Sequence, residues 1–184
     1  AGSASGAIVG VSSCDCNGVG VDFLRNRSVV LALAFAEPSV TFLTDAPETG
    51  VTLDYSLPPP HLSKFYSSFI EINVTGNNVS ARVLALLDTG AANTAIRRDV
   101  LDGPSGGLTD RLWITVENDY LGSVTVNATL FDTPGLPDVI LGTDAMRAWG
   151  DQWYFAFTYR GGSVTVVPYE SATTASPTEG LPAF

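Results

Sequence analysis

Strict alternation and short apolar runs organise this chain. Between Phe69 and Thr75, the residues Ile70, Ile72 and Val74 alternate with Glu71, Asn73 and Thr75. That two-residue period predicts a strand with one buried and one wet face. Runs rich in Val, Ile, Thr, Tyr and Phe, separated by turn residues, predict strands over 28–35, 40–43, 51–55, 69–75, 79–87, 111–117, 122–131, 139–141, 152–159 and 163–168. Thr75-Gly76-Asn77-Asn78 reads as a hairpin turn into the next strand, and Gly161-Gly162 as another. Only two segments look helical. One is a short turn near 96–101. The other is 143–149, where Ala145, Met146 and Trp149 share a face and Thr143 is placed to cap the first turn. The class is therefore all-β with one short helix.

Pro58, Pro59 and Pro60 break any strand ladder and mark the best internal boundary. The expected organisation is a β-rich N-terminal extension over 1–62, a main domain over 63–169 and a flexible tail over 170–184, where Ser, Thr, Ala, Pro and Gly show no periodicity. Ala1 reads as a processed end or an artificial boundary.

Composition removes several function classes. The net charge is −10, so a phosphate backbone is repelled and nucleic acid is not an expected partner. No apolar run approaches the roughly 20 residues of a membrane-spanning helix. His61 is the only histidine, which excludes a two-histidine metal motif and leaves a serine triad a single candidate base. Cys14 and Cys16 flank one residue, where a disulfide is strained and two thiolates make a poor metal site. They read as free thiols or one intermolecular bridge. No metal or cofactor is expected.

The chemistry concentrates at Val83-Leu84-Ala85-Leu86-Leu87-Asp88-Thr89-Gly90-Ala91. A buried strand runs straight into a carboxylate. Such a group costs free energy unless hydrogen bonds meet it. Gly90 allows a tight turn that aims backbone N–H groups at the Asp88 oxygens, and Thr89 adds a short hydroxyl. Taken alone, this is also what an ordinary Asp-x-Gly turn looks like. Gly142 follows 54 residues after Asp88, within Asp138-Val139-Ile140-Leu141-Gly142-Thr143-Asp144-Ala145-Met146. Two apolar residues, then Gly, then a helix start predict a strand passing behind the Asp turn, with Gly permitting close approach.

In that order and spacing, Leu86-Leu87-Asp88-Thr89-Gly90-Ala91, then Val139-Ile140-Leu141-Gly142-Thr143-Asp144-Ala145-Met146, then a terminal hairpin resembles the retropepsin-like aspartic proteases, the retrotransposon branch most of all. The resemblance covers roughly 64–168. It implies a closed, mostly antiparallel β-barrel with one helix, one aspartate per subunit, and two subunits facing each other across a two-fold axis. Asp88 then corresponds to the catalytic aspartate and Thr89 to the threonine whose hydroxyl bonds to the partner's main chain. Gly90 and Ala91 complete the turn, and Ile140, Leu141 and Gly142 buttress it. One Asp-Thr-Gly per chain makes the active species a homodimer. The implied activity is hydrolysis of extended polypeptide by water held between two Asp88 carboxylates, with self- or polyprotein processing as a role.

The chain also departs from the family. Retroviral members carry an acidic residue after Ala and an arginine after the later Gly; here these are Ala92 and Thr143, so both halves of that ion pair are replaced together. Asn93 is a candidate for contacting substrate backbone, with a surface-turn role as the alternative. The mobile hairpin that covers substrate falls on 101–111, where Gly103, Gly106 and Gly107 supply flexibility; a linker turn is the alternative. Ala91 has no hydroxyl where pepsin-like relatives often have one, which is expected to move the working pH towards mildly acidic or near neutral. Two other readings stay open: a non-catalytic binding or scaffold domain on this fold, and a monomeric pepsin-like enzyme whose N-terminal half is degenerate. Four Asn-x-Ser/Thr sequons, at Asn26, Asn73, Asn78 and Asn127, lean towards a secreted protein, while the family is mostly intracellular or packaged in particles.

Overall fold

The structure is a computed structural model and describes residues 24–25, 29–36, 38–53, 68–101, 110–159 and 162–169. Among them are eleven strands and one α-helix of more than one turn: β1 (Val30–Ala34), β2 (Ser39–Leu43), β3 (Val51–Thr52), β4 (Ser68–Gly76), β5 (Val79–Leu87), β6 (Ala95–Arg97), β7 (Arg111–Asn118), β8 (Gly122–Phe131), β9 (Val139–Leu141), α1 (Thr143–Trp149), β10 (Trp153–Thr158) and β11 (Ser163–Pro168). The protein is all-β with one short helix. No helix among the described residues is long and apolar enough to cross a membrane.

Six strands close into a barrel in the order β4-β5-β9-β6-β8-β7. Its first hairpin follows from the alternation in β4, which buries Ile70, Ile72 and Val74 and exposes Glu71, Asn73 and Thr75. Gly76 pairs with Val79, so the loop is Asn77-Asn78 alone. Both sit at positive φ, 48° and 60°, as the tightest hairpin turns require and as asparagine tolerates. On the exposed face Arg82 stands opposite Asn73 and reaches diagonally across the two strands to form an ion pair with Glu71.

The second sheet joins chain segments that are far apart in sequence. Its order is β2-β1-β10-β11-β3. The β10–β11 hairpin thus has β1 on one edge and β3 on the other, both antiparallel. Leu31 and Leu33 of β1 enter the same core as Phe155 and Phe157 of β10, Ile72 and Leu87 of the barrel, and Met146 of α1. Gly150, just after α1, lies against Phe35: a Cβ there would overlap the Phe35 Cβ. Phe35 in turn meets Phe155 edge to face at 6.2 Å. At the sheet's outer edge, β2 leaves Val40 and Phe42 exposed.

Two local expectations change. The segment near 96–101 is not a helix at its start: Ile96 lies in β6, parallel to β8 and antiparallel to β9, and only Arg98–Val100 form a single 3-10 turn. A three-residue strand is too short for a period to reveal, and Ile96 is fully buried. Thr143 opens α1 but does not cap it. Gly142 holds the capping position, and the Thr143 hydroxyl donates to the Ala92 carbonyl at 3.4 Å. Residue Gly161 of the second expected hairpin turn lies outside the described residues, and Gly162 has φ +73°.

Candidate active site

The last three residues of β5, Ala85, Leu86 and Leu87, are buried and run parallel to Val139, Ile140 and Leu141 of β9. The Asp88 N–H donates to the Leu141 carbonyl at 2.9 Å and so extends this ladder by one rung. There the chain turns. The Ala91 N–H returns to the Asp88 carbonyl at 3.2 Å, and the Gly90 N–H donates to Asp88 Oδ1 at 2.8 Å. A Cβ on Gly90 would crowd that oxygen at 3.2 Å. The carboxylate is therefore held at a strand end by a backbone donor, half-buried, with its second oxygen available.

Gly142 stands behind the turn. A Cβ there would come within 2.6 Å of the Asn93 carbonyl carbon, 2.8 Å of its oxygen and 2.9 Å of the Ala91 oxygen. All three are main-chain atoms, so the clash has no flexible side chain to absorb it. The Thr143 N–H uses the same proximity to donate to the Ala91 carbonyl at 2.8 Å. Asp88, Thr89, Gly90 and Ala91 are thus gathered with Leu141 and Gly142. Ile140 points the other way, into a small cluster with Phe69 and Leu86 on the barrel's outer side. The Asn93 side chain is exposed. Gly103, Gly106 and Gly107 lie outside the described residues.

Two further residues lock this assembly and were not singled out from sequence. Thr94 is fully buried; its hydroxyl donates to Asp144 Oδ1 at 2.7 Å and its N–H to Asp144 Oδ2 at 2.9 Å. The Gly142 N–H donates to the same hydroxyl at 3.3 Å, and Asp144 Oδ1 also accepts from the Ala145 N–H at 2.8 Å. One carboxylate therefore ties the end of the Asp88 turn to the first turn of α1. Threonine six residues after Asp88 and aspartate two after Gly142 were the available signals, but their pairing is a contact across 50 residues.

Tyr159 was also missed. It follows β10 directly and is 5% exposed. Its ring stacks on Phe157 at 5.9 Å, and its hydroxyl lies 3.4 Å from Thr89 Oγ1. Burial raises its pKa above the ordinary tyrosine value; the Thr89 hydrogen bond opposes this and the negative charge of Asp88 adds to it. The phenol is thus kept neutral beside the turn.

A separate groove of about 380 Å3, lined by Asn73, Thr75, Ser80, Ala81, Arg82 and Glu117, opens on the outer face of the barrel. Arg82 is six residues before Asp88 on an extended strand, a separation of about 20 Å, so the groove is not part of the Asp88 site.

Comparison with solved structures finds similarity to the retroviral protease-like domain of Ddi1 from Leishmania major. The identity is 17%, over 44% of this chain and 76% of that chain, with a TM-score of 0.29. No family model matches the chain, and no curated protein matches it.

Proposed function

We propose that this protein is an aspartic endopeptidase that works as a homodimer, with Asp88 of each copy forming the catalytic pair. The observation that carries the reading is the Asp88 turn itself. A strand-end carboxylate is held by the Gly90 N–H at 2.8 Å, and Gly142 backs the turn so closely that no side chain fits. The sequence motifs that resemble retropepsin-like proteases are the same residues that meet here.

The mechanism follows from electrostatics. Two carboxylates about 3 Å apart do not both ionise cheaply, so the pair shares one proton. The ionised member takes a proton from a water held between them as that water attacks the scissile carbonyl. The protonated member donates to the carbonyl oxygen. Titration then belongs to the pair and not to either copy of Asp88. In this arrangement Thr89 reaches the partner's main chain, Ala91 completes the turn, and Asn93 together with the 101–111 segment, including Gly103, Gly106 and Gly107, faces an extended peptide. In this proposal the protease segment is 63–169, completed by the strands of the preceding extension that pair with its terminal hairpin and followed by a tail.

The test is Asp88→Asn, which keeps the shape and loses the shared proton chemistry. Peptidase activity on an unbiased peptide mixture should fall by more than about a hundredfold, with unchanged circular dichroism. A statine-type inhibitor should block the wild type. Cutting that survives the substitution would remove Asp88 from the reaction. A well-folded dimer that cuts nothing would favour the binding or scaffold reading instead.

A further inference from the structure

The Tyr159 phenol has no place in the mechanism so far, yet from just past the end of β10 it reaches the Asp88 turn. A buried phenol needs an acceptor for its proton. The acceptor that the structure offers is Thr89 Oγ1, at 3.4 Å. A threonine hydroxyl carries one proton and two lone pairs, and a phenol is the more acidic donor of the two. If Tyr159 donates, the Thr89 proton is released for another acceptor. The contact is long, as such contacts often are before a site is fully assembled.

We propose that Tyr159 is a positioning residue for the Asp88 turn, donating to Thr89 so that the Thr89 hydroxyl presents its own proton to the main chain of a second copy. This rests on the dimeric reading above and deepens it. Three features of the placement support it. Stacking on Phe157 fixes the ring. β10 is flanked on both sides by strands of its own chain, which fixes the strand under it. Burial, and after it the negative charge of Asp88 on the barrel side, holds the proton on the phenol oxygen. A pre-aimed Thr89 loses less freedom when the second copy arrives, so the dimer is tighter than the turn alone would make it.

The experiment measures dimer dissociation by sedimentation, alongside peptidase activity against protein concentration, for wild type, Tyr159→Phe, Thr89→Val, Thr89→Ser and the Tyr159→Phe/Thr89→Val double variant. Tyr159→Phe keeps the ring and removes only the hydroxyl. With one contact in each copy, it should weaken the dimer by roughly five- to thirtyfold. Activity at dilute protein should fall, and it should return to the wild-type value per dimer at high concentration, which a damaged fold would not do. Thr89→Ser, which keeps the hydroxyl, should dimerise as tightly as wild type. In the Thr89→Val background, Tyr159→Phe should have no further effect. A Tyr159→Phe dimer constant equal to wild type, or an equal loss in the Val background, overturns the proposal. So does a wild type that stays monomeric throughout. A wild type that dimerises but cuts no peptide sinks the peptidase reading alone, and the sedimentation results still decide the role of Tyr159.

Discussion

Gly142 has two carbonyl groups of the Asp88 turn within reach of an absent Cβ. The hydrogen bonds from Thr143 to Ala91 and from Gly142 to Thr94 depend on that spacing. Gly142→Ala forces the turn and β9 apart and should cost about 1–3 kcal/mol, read as a lower urea midpoint with an unchanged slope. Tyr159 makes a prediction of a different kind. Its folded-state pKa is raised, chiefly by burial, so the folded protein holds the phenol proton more tightly than the unfolded chain does. Tyr154 is raised by burial in the same direction. That stability is fully present below the ordinary tyrosine pKa of about 10 and is lost as pH climbs through the folded-state value. Urea unfolding followed from pH 8 upwards should show stability falling above about pH 10. Tyr159→Phe should flatten part of the fall.

At the scale of elements, the β10–β11 hairpin is the part to watch. Both of its edges are filled by strands from before the proline run, and β1 brings Leu31 and Leu33 into the core beside Phe155 and Phe157. A chain starting at residue 63 lacks β1, β2 and β3. It exposes two open strand edges and a row of aromatic side chains. We expect it to unfold without a cooperative transition and to aggregate, whereas the full chain melts in one step. Denaturant titration followed by intrinsic fluorescence of the two chains makes the comparison. A cooperative, soluble truncation would show instead that the barrel carries its own stability.

At the scale of the whole molecule, the net charge of −10 opposes the dimer that the proposed chemistry needs. Each copy brings the same charge to the interface, and the repulsion is long-ranged at low salt. The screening length shrinks from about 30 Å at 0.01 M salt to about 10 Å at 0.1 M. Association should therefore tighten severalfold over that range, and activity at dilute protein should rise with it. Sedimentation and activity measured on the same samples check both. Salt that loosens the dimer would mean that opposite charges, not apolar and main-chain contacts, hold it.

The sequence by itself determined what local chemistry can write. The two-residue period fixed which face of β4 is buried, Asn77-Asn78 fixed the tight hairpin, and the Asp-Thr-Gly and Leu-Gly segments named Asp88 and Gly142 as a meeting point. Each of these is legible because one residue type is nearly the only one that suits the backbone or the face. Tertiary structure decided the rest. The pairing of β1 and β3 with the terminal hairpin joins positions more than 100 residues apart. The Thr94–Asp144 tie and the Tyr159–Thr89 contact are side-chain meetings across 50 and 70 residues. β6 is a strand only because β8 and β9 flank it. Such contacts leave no period in the chain, because a hydroxyl or a carboxylate reads the same in sequence whether it meets water or a buried partner. Only the packing of the folded chain chooses between them.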